Sequence, residues 1–364
     1  MGSASRTPRR RGSDRSKCLL RVVAIGGGTG LATLLKGLKG YTPVPGYEFS
    51  KRSCEVTITN LSAVVTVTDD GGSSGRLRKE LNMLPPGDIR NCIVALSEDE
   101  ALLSKLFRHR FEKGSGLEGH SFGNLFLAAL TSMTKDFGEA VRLSSEVLAT
   151  RGHIYPATTA NVELEAQLED GTRVRGETKI TASKERIGEL FLVPPDAEPL
   201  PQTLEALARA DVITLGPGSL FTSLIPNLLV KGIPQAIAAS PALKVYVCNL
   251  MTQANESLGR TAADHIRALD AHGGGRIFDY ALINNEPVSG KLRSKYELEG
   301  AAPVVADCEA IQELGVVPVL GNYLEEGEVA RHATDRIARD LLQLVKEART
   351  RGAKSSSRQP NLVQ

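Results

Sequence analysis

Residues 22–30 read Val-Val-Ala-Ile-Gly-Gly-Gly-Thr-Gly, an apolar, mostly β-branched run that ends in a glycine-rich loop. Leu31, Leu34 and Leu35 follow at helical spacing, so this stretch predicts a strand, a tight turn and a helix in succession. Short β-branched runs alternate with helical patterns along much of the chain. This alternation is typical of a parallel sheet with crossover helices, and it predicts an α/β fold.

The same reasoning predicts further parallel strands later in the chain. They fall at residues 63–67, 212–215, 245–248, 280–283 and 316–320. Between residues 154 and 193, apolar and polar residues alternate around the turn dipeptide Asp170-Gly171. A period of two around such a turn predicts an antiparallel β-hairpin insertion in the mostly parallel fold.

One folded domain is expected over residues 21–345, between a disordered basic tail at 1–20 and a disordered tail at 346–364. Residues 41–60 are polar, contain two prolines and are interpreted as a second insertion. Basic residues outnumber acidic ones in each of the two tails. The net charge is +2, so the body between the tails is acidic and is not expected to bind nucleic acid.

Composition excludes further classes of protein. No apolar run approaches the roughly 20 residues that span a bilayer, so no membrane insertion is expected. The five cysteines are scattered and form no C-x-x-C pair. This usage favours a reducing compartment, the cytoplasm, over a disulfide framework or structural zinc.

Polar or glycine-rich loops follow several of the predicted strands. Carboxyl ends of parallel strands share one edge of a sheet, so these loops are expected to line one cleft that binds the phosphates of a nucleotide-like ligand. The helix that begins at Leu220 is expected to offer free amides there. The residues expected to bind phosphate or nucleotide are Gly26, Gly27, Gly28, Thr29, Gly30, Gly71, Gly72, Ser73, Ser74, Arg76, Gly216, Gly218, Ser219, Asn249, Thr252 and Gln253.

The first glycine loop differs from two known phosphate-binding motifs. Leu31 occupies the position where G-x-G-x-x-G requires its third glycine, and no lysine follows in the P-loop position. A dehydrogenase and a P-loop ATPase are therefore disfavoured. No Ser-His-Asp or Cys-His arrangement has a recognisable local context, so no catalytic residue is assigned.

Other polar residues near the predicted strand ends allow more than one role. Asp69 and Asp70 can bind ribose or sugar hydroxyls, hold Mg²⁺, or form a turn that caps the next helix. His120 can act as a base, donate to phosphate, or satisfy loop backbone. Asp88 is predicted mainly to cap a helix. No cofactor is required by these patterns. Mg²⁺ is a possible ligand of the two carboxylates, and the identity of a metal is otherwise unknown. Candidate ligand contacts at further positions are Asn124 and Asn284.

Several longer motifs occupy residues 25–31, 68–78, 85–91, 119–124, 216–220 and 246–253. Together they resemble the gluconeogenesis factor (YvcK) family, within the wider group that includes 2-phospho-L-lactate transferase (CofD). The resemblance implies a Rossmann-like nucleotide-binding domain that holds a UDP-sugar in the predicted cleft. It also implies that Arg260 lies close to the sugar-nucleotide site.

The resemblance implies two alternative functions. One is a non-catalytic, UDP-sugar-binding regulator linked to central carbon metabolism, cell-wall precursor supply and cell shape. The other is a CofD-like transferase that moves a phospholactyl group from a guanosine diphosphate donor to a deazaflavin, with Mg²⁺ near Asp69 and Asp70. The match over residues 246–253 and 263–265 favours the regulator. The nucleotide-sugar is the expected partner, and a homo-oligomer is compatible with either function.

Overall fold

The computed structural model describes residues 18–43, 55–98, 102–183 and 185–356. The strands are β1 (Cys18–Gly26), β2 (Val56–Val65), β3 (His153–Pro156), β4 (Glu163–Leu168), β5 (Arg173–Arg175), β6 (Ile187–Val193), β7 (Val212–Leu215), β8 (Leu243–Val247), β9 (Tyr280–Asn284), β10 (Val317–Gly321), β11 (Leu324–Glu326) and β12 (Ala330–His332).

Helices and a π-helical turn at Leu220–Leu224 connect these strands. The helices are α1 (Gly28–Lys39), α2 (Gly72–Leu81), α3 (Gly87–Leu96), α4 (Leu103–Arg108), α5 (Phe122–Thr134), α6 (Phe137–Val147), α7 (Glu177–Ala182), α8 (Pro201–Arg209), α9 (Ile225–Leu228), α10 (Ile233–Ala239), α11 (Ala262–Gly273), α12 (Gly290–Glu297), α13 (Cys308–Glu313) and α14 (Thr334–Ser356). Within the described residues, no helix is both long and apolar enough to cross a membrane.

The main sheet has the strand order β10–β9–β8–β7–β1–β2–β3, and every neighbouring pair in it is parallel. Strand β1 lies inside the sheet, and its residues Val22, Ala24 and Ile25 are fully buried. A continuous apolar strand of this kind is expected where both faces of a parallel sheet are covered by helices. The predicted α/β, mostly parallel fold is confirmed, and its architecture is Rossmann-like.

The direction of sheet growth reverses at β1. The chain adds β2 and then β3 on one side of β1, and later places β7 on the other side, followed by β8, β9 and β10. The switch point therefore lies between β1 and β7. Ligands of open α/β sheets bind at this position, outside the carboxyl ends of the strands.

The antiparallel insertion is confirmed, but its boundaries change. Strand β4 pairs with β5 across the predicted turn, and it also pairs antiparallel with β6 to give a separate three-stranded sheet. The predicted start of the insertion is wrong, because β3 belongs to the edge of the main sheet. Residues Ser62 to Val65 of β2 pair parallel with β3, a long-range contact that local periodicity does not reveal.

The predicted limits of the tails and of the 41–60 insertion are also wrong in part. Strand β1 starts at Cys18, and β2 starts at Val56, inside the predicted insertion. Helix α14 continues to Ser356, although the composition after residue 345 predicts disorder. Buried Leu341 and Val345 anchor this helix to the core, and Lys346 pairs with Glu55 at 2.6 Å. Residues 1–17, 44–54 and 357–364 lie outside the described residues.

Candidate functional site

A cavity of about 590 Å³ opens where β1, β7 and β8 end. The first glycine loop and the loops after β7 and β8 supply much of its lining. The cavity brings together these residues from the sequence prediction: Gly27, Gly28, Thr29, Gly30, Gly218, Ser219, Asn249, Thr252 and Gln253. Gly26 ends β1, and Gly216 directly follows β7. A second cavity, of about 820 Å³ beside Arg21 and Lys244, contains none of the predicted loop residues.

The two glycine loops pack directly against each other. A Cβ atom at Gly30 would lie 2.3 Å from the carbonyl oxygen of Pro217, so only glycine permits this contact. Gly28 has a φ of +60°, a left-handed conformation that strains other residues. Helix α1 begins at Gly28, and its N-cap Gly27 makes no side-chain cap bond. First-turn amides lack intrahelical partners, so those of Thr29 and Gly30 in α1 are suited to bind an anion.

Asp88 lies beside the first glycine loop and contacts it directly, in addition to its position in the first turn of α3. Its carboxylate accepts a hydrogen bond from the Gly28 N–H. Burial, followed by the nearby Asp69 carboxylate, raises the pKa of Asp88 to about 6, while the Gly28 bond and Arg90 oppose the shift. Sequence reasoning underestimated Asp88, although its presence in the 85–91 motif was a signal.

The adjacent carboxylates Asp69 and Asp70 have different environments. Asp69 accepts a hydrogen bond from the Gly71 N–H at 2.9 Å, which forms the predicted turn. The Asp69 carboxylate also lies near Asp88. Asp70 accepts from both the backbone N–H (2.8 Å) and the hydroxyl (2.5 Å) of Thr178. Asp70 therefore attaches helix α7 of the insertion to the loop after β2.

Glu177 is the first residue of α7, directly before the residue that Asp70 holds. Burial and then the carboxylates of Asp69 and Asp88 raise its pKa well above the usual value. The insertion thus adds a third acid to the pair beside the first glycine loop. The sequence offered no signal for this contact, because Glu177 lies about a hundred residues from Asp69.

Ser73, His120 and Asn124 form a buried network between α2 and α5. Ser73 Oγ lies 2.9 Å from His120 Nδ1, and Asn124 Nδ2 donates to Ser73 Oγ at 3.0 Å. Burial and then Arg76 lower the pKa of His120, so the imidazole is neutral at pH 7. The network joins α2 to α5, and none of its three members lines the 590 Å³ cavity.

The remaining predicted residues of the loop after β2 also make internal contacts. Gly71 is the N-cap of α2, and Gly72 is its first residue. Ser74 Oγ accepts a hydrogen bond from a backbone N–H at the start of α3, at 3.2 Å. Arg76 donates to the carbonyl oxygen of Glu118 at 2.6 Å. These contacts attach α2 to the start of α3 and to the segment before α5.

The expectation of free amides after Ser219 is wrong for two positions. The buried carboxylate of Glu256 accepts hydrogen bonds from the Phe221 N–H (2.7 Å) and the Thr222 N–H (3.0 Å). The protein therefore supplies its own carboxyl group as the acceptor at the start of this helical segment. The Gly218 N–H also donates within the protein, to Asn249 Oδ1, so an incoming phosphate depends on the donors of Ser219 on this side of the cleft.

The loop after β8 is joined to the loop after β7. Asn249 Oδ1 accepts from the Gly218 N–H at 3.2 Å, and Gln253 Nε2 donates to Ser219 Oγ at 2.8 Å. Thr252 Oγ1 accepts from a backbone N–H at 2.9 Å, which leaves its hydroxyl proton available. These bonds fix the polar wall of the cavity.

Two predicted ligand contacts lie elsewhere. The Arg260 guanidinium lies 5.1 Å from the centre of the Phe221 ring and donates to the carbonyl oxygen of Ile187 in the insertion. Asn284 accepts hydrogen bonds from the Glu286 and Tyr323 backbone. Neither side chain lines the 590 Å³ cavity.

The cavity also contains residues that sequence reasoning missed, namely Tyr296, Glu299 and His332. Tyr296 lies in α12, Glu299 lies just after α12, and His332 is the last residue of β12. No strand–loop–helix pattern in the sequence connected these segments to the cleft. His332 Nε2 lies 2.9 Å from the Cys248 carbonyl oxygen. This contact brings β12 to the loop after β8.

Glycine loops that meet at the switch point of a parallel sheet define a Rossmann-like α/β protein with an anion-binding geometry. The chain belongs to the family described as 2-phospho-L-lactate transferase CofD, whose model matches residues 22–324. A gluconeogenesis factor from Halalkalibacterium halodurans is 48% identical over 323 residues, which cover 88% of this chain and 95% of the relative. The gluconeogenesis factor of Bacillus subtilis is 46% identical over 328 residues, 90% of this chain and 98% of the relative.

A solved structure agrees with this assignment. The crystal structure of a upf0052 family member from Bacillus halodurans has 47% sequence identity and a TM-score of 0.83. The match covers 89% of this chain and 99% of the crystallised chain. The resemblance drawn from the six sequence motifs is confirmed.

Proposed function

We propose that this protein is a regulator of the gluconeogenesis-factor type that binds a UDP-sugar in the cleft between β1 and β7. Its role is linked to central carbon metabolism, cell-wall precursor supply and cell shape. The diphosphate lies between the first glycine loop and the loop after β7, and the regulator responds to ligand without converting it. The names of the relatives support the regulatory class.

The observation that carries this proposal is the packing of Gly30 against Pro217 at the switch point. It places the Thr29 and Gly30 amides of α1 opposite Ser219, so a diphosphate can bridge donors of both loops. Charge-assisted hydrogen bonds of this kind contribute about 1.5–3 kcal/mol each. The phosphates are therefore expected to supply much of the affinity.

Calorimetric titration with UDP-glucose, UDP and uridine tests the phosphate assignment. UDP-glucose and UDP should bind, and uridine should bind at least about tenfold more weakly because it loses one or more charge-assisted bonds. GDP and NAD in parallel titrations define the base preference. Equal affinities for uridine and UDP would refute the assignment.

A second candidate, a CofD-like transferase that uses Mg²⁺, is favoured by the acids Asp69, Asp88 and Glu177 beside the first glycine loop. Within the described ranges, no three His, Cys, Asp or Glu side chains are arranged to hold a metal. Asp69 and Asp88 nevertheless suit Mg²⁺, which uses one or two carboxylates and completes its shell with water and phosphate oxygens. A bound Mg²⁺ would neutralise charge on the diphosphate.

Incubation with deazaflavin and phospholactyl-guanosine diphosphate, with and without Mg²⁺, separates the two candidates. We expect no product by chromatography, and UDP-glucose binding that persists in EDTA. Metal-dependent product that Asp69→Asn abolishes would establish the transferase instead. Asp70→Asn is the matched control, because Asp70 contacts Thr178 and should leave any turnover largely intact.

A further inference from the structure

The protonation state of His332 follows from its contact with the loop after β8. Its Nε2 lies 2.9 Å from the Cys248 carbonyl oxygen. A carbonyl oxygen only accepts hydrogen bonds, so Nε2 must carry the ring proton. Burial, opposed by this hydrogen bond, lowers the pKa of His332 to about 4, so the ring is neutral at pH 7. The other ring nitrogen, Nδ1, is then a hydrogen-bond acceptor.

This acceptor is open to the cavity. His332 lines the cavity, and Nδ1 makes no hydrogen bond within the described part of the chain. Nδ1 is not one of the buried side-chain atoms that lack a hydrogen-bond partner in this part of the chain. Because it has no partner and is not enclosed, its lone pair is accessible. A ligand group that donates a hydrogen bond can therefore reach Nδ1.

Tyr296 and Glu299 complete this end of the cavity. The Tyr296 hydroxyl accepts from the Ala330 N–H at 3.1 Å, which holds its ring beside β12 and leaves its own proton free to donate. Glu299 adds a carboxylate, and its side chain is exposed. An aromatic ring beside two acceptors suits a ligand ring that combines an apolar face with several hydroxyl donors.

The two ends of the cavity therefore differ in chemistry. The glycine loops present backbone N–H donors, which suit phosphate. The end formed by Tyr296, Glu299 and His332, called here the acceptor end, presents the His332 Nδ1 and Glu299 carboxylate acceptors beside the Tyr296 hydroxyl, and the negative charge of Glu299 disfavours phosphate. A ligand with a diphosphate and a hydroxylated ring has one orientation that satisfies both ends.

We propose that the acceptor end binds the vicinal hydroxyl groups of a sugar ring, with His332 Nδ1 and the Glu299 carboxylate as hydrogen-bond acceptors. This inference rests on the proposed function, since it specifies which part of a nucleotide-sugar lies at this end. The ring is either the hexose or the ribose. Both have the same donor chemistry, and the experiment distinguishes them.

The test measures the affinities of wild type, His332→Phe and Glu299→Ala for UDP-glucose, UDP, 2′,3′-dideoxy-UDP and pyrophosphate by calorimetry. His332→Phe keeps a ring but removes both the Nδ1 acceptor and the Nε2–H bond to Cys248, whereas exposed Glu299 can be replaced without disturbing the core. Each variant should bind UDP-glucose about five- to tenfold more weakly, the equivalent of one lost hydrogen bond. His153→Phe, on β3 and outside this cavity, is the matched control.

The ligand dependence of the loss decides the outcome. A loss with UDP-glucose that is absent with UDP assigns the hexose to the acceptor end. A loss shared by UDP-glucose and UDP but absent with 2′,3′-dideoxy-UDP assigns the ribose. Equal losses with every ligand, pyrophosphate included, or no loss at all in Glu299→Ala and His332→Phe, would overturn the proposal. Failure of the wild type to bind any of the four ligands would refute the proposed function instead.

Discussion

Gly30→Ala is expected to reduce UDP-glucose affinity by more than about tenfold and to lower the free energy of unfolding by about 1–3 kcal/mol. The added Cβ would lie 2.3 Å from the Pro217 carbonyl oxygen and 3.0 Å from the Gly218 Cα atom. Both neighbours are backbone atoms, so the two loops must move apart. Their separation moves the amides of α1 away from those of the opposite loop.

Calorimetry and urea unfolding measure the two effects of Gly30→Ala separately. Gly290→Ala is the matched control, because a Cβ there would meet no atom within 4 Å. Normal binding by a folded Gly30→Ala protein would show that a diphosphate does not bridge the two loops. In that case the ligand would contact one loop alone.

Asp88→Asn is expected to raise UDP-glucose affinity at pH 8 without Mg²⁺ and to remove a pH dependence that the wild type shows. The pKa of Asp88 is about 6 in the ligand-free fold. A diphosphate beside the carboxylate favours its neutral form and raises the pKa further, so binding takes up a proton above pH 6. Wild-type affinity should therefore fall about tenfold or more as the pH rises from 6 to 8.

Other charged groups face Asp88 and enter the same experiment. Asp69 adds to the repulsion and Arg90 opposes it, while burial and the nearby acids raise the pKa of Glu177 as well. Asp70→Asn is the control, since its carboxylate contacts Thr178 and its removal should leave the pH profile unchanged. An Asp88→Asn protein with the wild-type pH profile would assign the titration to Asp69 or Glu177 instead.

Asp88→Asn should also stabilise the ligand-free protein at pH 8. The folded-state pKa of about 6 exceeds the ordinary value of 3.8, so the folded protein binds more protons between these values and loses stability as the pH rises through them. Above pH 6 the ionised carboxylate costs up to about 3 kcal/mol, which asparagine avoids. Unfolding in urea at pH 5 and pH 8 measures this difference.

Part of the candidate site was predictable because it depends on neighbours in the chain. The strand at residues 22–25 and the glycines after it occupy one continuous stretch, and so do residues 212–218. In a parallel sheet the direction of every strand then places these loops at one edge. The sequence therefore predicted that the first glycine loop and the loop after β7 lie close together, but it did not predict the exact contact of Gly30 with Pro217.

Asp69 and Asp70 mark the limit of this reasoning. They are adjacent, have the same side chain and follow the same strand, yet Asp69 remains beside Asp88 while Asp70 holds Thr178. Successive side chains in an extended segment point in different directions, and their partners come from distant elements. Arg260 likewise contacts the insertion because β6 packs beside it, which no local pattern encodes.

The sequence by itself determined the α/β class, the antiparallel insertion and the glycine loops of the cleft, because periodicity and backbone freedom are local properties. Only the tertiary structure decided three further features. Strand β3 joins the main sheet, Glu256 accepts hydrogen bonds from the amides after Ser219, and His332 lines the cavity. Each of these depends on strand pairing or packing between segments far apart in the chain. Such contacts are selected by the burial of the whole core, and the pattern of any single segment is compatible with several of them.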